Sequence, residues 1–266
     1  MSAEQASLGL TGDPSRIRLR ELNGFDEQSI RGVDTVTAIG LLDRLLVNAP
    51  GYSAEELKAA RLTASQRDRL LAAVYERTFG PRIDSTMRCR ICGELFDLSF
   101  TIENLLAALS ASASSSSAEL RPDGTFRLPN GVRFRLPTGE DEMAIAGLSP
   151  VDAENALLGR CLIEPENSVN LEAVQKAMEE VAPILDLDLD AQCPECGGKQ
   201  SVHFDVQYYL LRALEQERKQ MAREVHRLAI AYGWSLNEIL GLFRSQRRAF
   251  VELIDADISA QRRQWS

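Results

Sequence analysis

Residues 89–100 read Cys-Arg-Ile-Cys-Gly-Glu-Leu-Phe-Asp-Leu-Ser-Phe, and residues 193–204 read Cys-Pro-Glu-Cys-Gly-Gly-Lys-Gln-Ser-Val-His-Phe. Each Cys-x-x-Cys-Gly run makes a tight turn that aims two sulfurs at one point, with glycine where the backbone bends back. Phe96, Leu98 and Phe100 follow the first pair, and Val202, Phe204 and Val206 the second, with the period of two that marks a strand. Turn then strand, twice, is the plan of a zinc ribbon. Four thiolates in a tetrahedron suit Zn²⁺ at about 2.3 Å per bond. The expected ligands are Cys89, Cys92, Cys193 and Cys196, holding one structural zinc per chain. A thioredoxin-like redox centre needs its pair at a helix start after a strand, whereas here each pair precedes a strand. Structural disulfides belong to secreted proteins, and the opening MSAEQASLGL lacks the basic, apolar and small-residue order of a signal peptide. A catalytic zinc would need an open position beside a His or a water-activating carboxylate, and no such group stands close by in sequence.

A gap of 100 residues separates the two pairs, far more than the roughly 15–20 of a compact ribbon. Its content explains the length. Ile17–Ile30 (IRLRELNGFDEQSI) matches Val132–Ile145 (VRFRLPTGEDEMAI) at six of fourteen positions, where about one match is expected from ordinary composition. These are Arg18/Arg133, Arg20/Arg135, Gly24/Gly139, Asp26/Asp141, Glu27/Glu142 and Ile30/Ile145. After a one-residue shift, LLDRLLV at 41–47 lies over LLGRCLI at 157–163, and the Cys pairs follow in the same order. An internal tandem duplication accounts for this, with one zinc held between the copies. Cys161 then stands where copy one has Leu45, and reads as a small buried apolar side chain.

The expected fold class is α+β, mainly helical: two copies with small strands around a shared zinc-ribbon-like four-cysteine site, plus a C-terminal helical tail. The expected boundaries are a loose terminus at 1–13, copy one at 14–109, a serine-rich linker at 110–118 (SASASSSSA), copy two at 119–214 and a helical extension at 215–266. In each copy an Arg-bearing strand leads to Asn23 or Thr138 as helix cap, and Asp26-Glu27 or Asp141-Glu142 complements the positive helix end. Ser53-x-x-Glu56, ahead of a helix over 54–61, and Ser65-x-x-Asp68 read as further caps. Asn130-Gly131 marks a hairpin turn. Leu185–Asp190 (LDLDLD) reads as a strand, since it lacks the glycine and glutamate of an EF-hand calcium loop. Tyr208–Tyr232 has no Gly or Pro, which predicts one helix of about 37 Å. Gly233 ends it, Ser235-x-x-Glu238 caps a short helix, and a last helix covers 246–261. This extension reads as occurring once.

Composition narrows the function. The 266 residues carry 30 Lys+Arg against 39 Asp+Glu, a net charge of −9 that argues against general affinity for nucleic-acid phosphates. No apolar run approaches the roughly 20 residues of a membrane helix. His203 alternates away from the apolar face of its strand, and His226 lies among arginines on a helix, so neither reads as a metal ligand. No phosphate loop, dinucleotide fingerprint, His-Glu-x-x-His or serine elbow is present, and no nucleophile, base and orienting group can be named together. The expectation is a protein that is not an enzyme.

The strand-arginine opening with Asn23-Gly-Phe-Asp-Glu27 and Thr138-Gly-Glu-Asp-Glu142 resembles phage tail assembly and baseplate proteins. So does the run Glu224-Val-His-Arg-Leu-Ala-Ile-Ala-Tyr-Gly-Trp-Ser-Leu-Asn-Glu-Ile-Leu240, followed by Arg247-Arg248 and Phe250-Val-Glu-Leu-Ile254. With the two Cys knuckles, the chain resembles the T-even-type phage baseplate (hub) family and its relatives in phage-like contractile injection systems. The resemblance implies a structural or assembly component of a contractile tail baseplate, and other tail proteins as partners through the C-terminal helices. It also implies assembly in the bacterial cytoplasm, with retention in the particle as the further option. The alternative from the cysteines alone is a zinc-ribbon nucleic-acid-binding or transcription-associated regulator.

Overall fold

The computed structural model describes residues 17–47, 58–113, 116–163 and 170–264. The expected loose terminus at 1–13 and the Ser53 cap lie outside the described residues. The fold is mixed α+β and mainly helical, ending in a helical region.

The first half runs β1 (Arg18–Leu19), α1 (Gly24–Ser29), α2 (Thr35–Leu45), β2 (Leu46–Val47), a 3₁₀ turn at Ala59–Arg61, α3 (Ala64–Phe79), β3 (Arg82–Arg88), β4 (Leu95–Thr101) and α4 (Ile102–Ala113). After β5 (Glu119–Leu120) and β6 (Phe126–Arg127), the second half has β7 (Arg133–Phe134), α5 (Gly139–Ile145), α6 (Pro150–Cys161), β8 (Leu162–Ile163), α7 (Leu171–Val181), β9 (Asp186–Gln192), β10 (Lys199–Asp205) and α8 (Val206–Gln216). The extension adds α9 (Arg218–Tyr232), α10 (Leu236–Gly241) and α11 (Arg244–Gln264).

Pairing repeats between the halves. β1 and β2 join as Arg18↔Val47 and Leu19↔Leu46, and β7 and β8 as Arg133↔Ile163 and Phe134↔Leu162. Arg20 N–H bonds Leu45 O, and Arg135 N–H bonds Cys161 O, both at 2.9 Å. β3 and β4 form an antiparallel hairpin from Arg82↔Thr101 to Arg88↔Leu95. β9 and β10 do the same from Asp186↔Asp205 to Gln192↔Lys199. The Asn130-Gly131 turn joins β6 to β7, with Gly131 at a φ of +94° that a side chain would strain.

The largest core is shared across the expected linker. Leu41, Leu42, Leu70, Leu71 and Ile83 from the first half pack with Leu185, Phe204, Val206, Leu210 and Leu211 from the second. A smaller core around Phe126, Phe134 and Val174 lies within the second half, and a third around Leu228, Ile239 and Val251 lies in the extension.

Several elements depart from the sequence reading. The expected single helix over 208–232 is two, α8 and α9, separated at Glu217, whose carboxylate is taken by Arg244 and Arg248. Absence of Gly and Pro permits a continuous helix but does not enforce one against such tertiary pulls. Ser65 and Asp68 do not cap α3; Thr63 does, with Gln66 in a reciprocal box. Ser65 instead donates to Pro183 O at 2.8 Å, and Asp68 accepts the Leu185 N–H at 2.8 Å, so both tie α3 to the strand entering the second hairpin. α4 runs through Ala113, into the stretch read as linker. The strand β3 was not legible ahead of the first knuckle because Arg-Ile-Asp-Ser-Thr-Met-Arg carries few large apolar residues.

Candidate metal centre

Each Cys pair sits at the tip of a hairpin, and the same backbone bonds shape both tips. Cys89 N–H bonds Glu94 O at 2.8 Å, and Gly93 N–H returns to Cys89 O at 3.0 Å. Cys193 N–H bonds Gly198 O, and Gly197 N–H returns to Cys193 O, each at 2.9 Å. Gly93 (φ +81°) and Gly197 (φ +70°) take the left-handed turn that a β-carbon would disfavour. Arg88 and Gln192, the residues before each first cysteine, donate side-chain bonds to Gly93 O and Gly197 O.

The tips meet, and their four Sγ atoms all lie within 4.8 Å of one another. The sulfurs of Cys89 and Cys196 are 3.7 Å apart, and those of Cys92 and Cys193 are 3.8 Å apart. A tetrahedron with zinc–sulfur bonds of about 2.3 Å has edges of about 3.8 Å, which these two separations match, and the four sulfurs together could coordinate a metal ion. A disulfide would need about 2.05 Å, and all five cysteines are free thiols. Both of these pairs join one hairpin to the other, so a single ion would bridge them.

The surroundings push the Cys89 and Cys92 thiols in opposite directions. Backbone N–H groups of Cys92 and Ile91 face the Cys89 sulfur and hold its pKa down to about 6. At Cys92 the Glu94 N–H favours the thiolate, but desolvation and the sulfurs of Cys196, Cys89 and Cys193 outweigh it and push the thiol up to about 12. One negative charge settles and discourages the next, as expected of closely spaced acids. A divalent cation removes that conflict, since it binds all four as thiolates and releases their protons.

Cys89 and Cys193 are buried with Phe96 and Ala191, and Met87, Leu98 and Val202 close around them. Phe100 and Phe204 meet edge to face at 5.1 Å farther from the tips. Gln200 was missed by the sequence reading. Its Oε1 accepts the Arg90 N–H at 2.9 Å, so it bonds the backbone of the opposite tip. No spacing signal marks such a residue, because its partner lies 110 positions away.

The remaining candidates are elsewhere. Cys161 is fully buried, and burial is the main cause of a thiol pKa pushed up to about 11. It keeps to the apolar reading. His203 is exposed between Asp186 at 3.2 Å and Asp188 at 3.3 Å and does not join the cluster. His226 is exposed on α9. Asp26 and Asp141 do cap α1 and α5, accepting the Asn23 and Thr138 N–H groups at 2.9 and 3.0 Å. Arg20 and Arg135 grip the same carboxylates with two nitrogens each. Glu27 and Glu142 also lie in the first turn of their helices, and each takes arginine partners from a distant segment. Glu27 is buried against Arg244 and Arg247, and Glu142 takes Arg67 at 2.8 Å. Among the described residues, no helix is long and apolar enough to cross a membrane. No family model, curated protein or solved structure matches the chain.

Proposed function

We infer that this chain is a non-catalytic binding protein, built from two copies of one unit and closed by a single structural zinc in a zinc-ribbon-like pair of hairpins. The carrying observation is the four-sulfur cluster, which draws two ligands from each of two hairpins with the same register and the same tip bonds. The shared order of elements in the two halves, and the paired Arg20–Leu45 and Arg135–Cys161 bonds, support the duplication. Every cluster ligand is a cysteine, which leaves no open position for substrate and favours a structural role for the metal. Elemental analysis of the purified chain is expected to give one zinc. Two ions, or none after reconstitution, would overturn the shared site.

On that base the cluster itself favours a zinc-ribbon module of the nucleic-acid-binding or transcription-associated kind. Arg88, Arg90 and Lys199 are exposed beside the tips, interleaved with exposed Glu94 and Glu195, so the cationic contact they offer is small. The net charge of −9 restricts any such contact to that small area. The second reading, from the family resemblance, is a structural or assembly component of a phage-like contractile tail baseplate. What favours it is the apolar surface of the extension, where Ile230, Tyr232, Leu236 and Leu253 are exposed. Filter binding to single- and double-stranded nucleic acid at low and moderate salt separates the two. Salt-dependent binding lost on Arg88→Ala/Arg90→Ala supports the first. No binding at low salt, with recovery of tail proteins in a pull-down, supports the second.

A further inference from the structure

The C-terminal extension grips α1 in the way that the first half grips α5. Asn23 makes an isolated antiparallel bridge with Phe243, and Thr138 makes one with Thr63. At the first bridge the arm donates, Arg244 N–H to Leu22 O at 2.8 Å, whereas at the second it accepts, Leu62 O from Gly139 N–H at 3.1 Å. A β-carbon on Gly24 would lie 2.9 Å from Leu240 Cα, and one on Gly139 would lie 3.2 Å from Ala60 Cα. Glu27 is bound by Arg247, and Glu142 by Arg67. Residues 23, 24 and 27 thus meet 243, 240 and 247, while residues 138, 139 and 142 meet 63, 60 and 67. The spacing within each set is the same.

The two gripping segments also share sequence. Leu62-Thr-Ala-Ser-Gln-Arg67 and Leu242-Phe-Arg-Ser-Gln-Arg247 are the two occurrences of Leu-x-x-Ser-Gln-Arg in the chain. In each, a short helical turn precedes the leucine, and the glutamine returns its side-chain oxygen to a backbone N–H at 3.0 Å, that of Thr63 or Phe243. Leu62 and Leu242 share one backbone conformation, φ −69° and ψ 142°. After a two-residue shift the likeness extends upstream in sequence, Gly51-Tyr-Ser-x-x-Glu56 against Gly233-Trp-Ser-x-x-Glu238.

We propose that α1 and α5 carry two copies of one docking surface, and that its ligand is a helical-turn arm ending in Leu-x-x-Ser-Gln-Arg. Residues 59–67 supply the arm to α5, and residues 239–247 of the extension supply it to α1. The extension is therefore a third, partial copy of the unit rather than an unrelated tail. The recognition has three parts. The bridge sets register, the bare glycine lets the arm's backbone approach, and a glutamate–arginine pair, buried at Glu27 and half-buried at Glu142, fixes the arm's identity. Arg244, where the first arm has Ala64, adds a second arginine to Glu27 and strengthens the α1 joint. The series runs in one direction, extension onto first copy and first copy onto second. Among the described residues α7 opens with Asn170-Leu-Glu172, which does not match the Leu-x-x-Ser-Gln-Arg arm.

This proposal rests on the equivalence of the two halves, and the test separates it from that reading. Hydrogen exchange on the full, zinc-loaded chain is compared for four variants. Glu27→Gln is expected to raise exchange in 236–250 by at least about a hundredfold while 59–67 keeps its protection, and Glu142→Gln to do the reverse. Phe243→Thr/Arg244→Ala, which gives the extension the first arm's sequence, is expected to stay docked with about tenfold faster exchange or less. Ser245→Ala/Gln246→Ala/Arg247→Ala is expected to release the arm. Release of the transplanted arm, or Glu27→Gln and Glu142→Gln each loosening both joints alike, would overturn the docking rule. Retention of one zinc in those variants would leave the duplicated, zinc-closed body intact.

Discussion

At Gly198 an added methyl would stand 2.6 Å from Ile91 Cδ1 and 3.2 Å from the Cys196 sulfur. Ile91 is 69% exposed and can swing outward, whereas the sulfur is fixed by its role in the cluster. Gly198→Ala is therefore expected to cost about 1 kcal/mol, the scale of local overpacking, and to speed zinc loss to a competing chelator. Ile91→Ala alone is expected to be near neutral, and the double variant to lose zinc about as fast as Gly198→Ala, because the contact with the sulfur remains. Recovery of chelator resistance in the double variant would place the strain at Ile91 instead. Asp68 gives a pH test. Burial is the main cause of a carboxyl pKa pushed up to about 7, against the pull of the Leu185 N–H and Arg67. Its ordinary value is 3.8, so between 3.8 and about 7 the folded chain holds a proton that the unfolded chain has released. Stability then falls as pH rises through that window, by a few kcal/mol in all. Asp68→Asn keeps an acceptor for Leu185 and removes the charge. It is expected to raise Tm more at pH 8 than at pH 5, and an unchanged pH slope would exclude this assignment.

The capped helices show how far the sequence carried at the level of elements. Asn23 or Thr138 followed by Asp at the third position is a local pattern, and its bonds form within four residues. Such features are legible because the partners lie in the same short stretch. Arg135 is the main cause of an Asp141 carboxyl held well below the usual range, with the Thr138 N–H and Arg160 adding to it. A depressed carboxylate contributes stability above its ordinary pKa and loses it as pH falls through and below that value. Asp141→Asn is expected to cost about 1–2 kcal/mol near neutral pH, as the loss of a charged cap does, and to flatten the acid limb of a stability–pH curve. Thermal unfolding between pH 7 and pH 3 measures both. Glu27 and Glu142 were not legible in this way. Sequence placed them beside the cap, but their partners Arg247 and Arg67 come from segments 220 and 75 positions away. Partners remote in sequence also hid Gln200, 110 positions from Arg90, and the break at Glu217, 27 positions from Arg244. The four cysteines were readable despite their separation, because each pair carries a local turn signature and two incomplete sites imply a meeting.

Across the whole molecule, the two hairpins are held at both ends by different means. Their roots sink into the large core through Ile83, Ile102, Leu185, Phe204 and Val206, all buried. Their tips are closed by the four sulfurs and by a small cluster to which both contribute, Cys89 and Phe96 from one, Ala191 and Cys193 from the other. Neither tip can bury its own apolar face alone, so the closure is a joint property. Removing one ligand should therefore release both tips and leave the helical body standing. Cys193→Ser, or chelation of the unmodified chain, is expected to raise hydrogen exchange at residues 86–97 as much as at 190–201. Protection in α2, α3 and α8 should hold, because their burial does not pass through the tips. Far-UV circular dichroism should change little, since the lost order is confined to short strand ends. Exchange that rises only around Cys193 would mean that each knuckle stands by itself. Collapse of protection in α3 and α8 would mean instead that the metal, and not the apolar core, holds the two halves together.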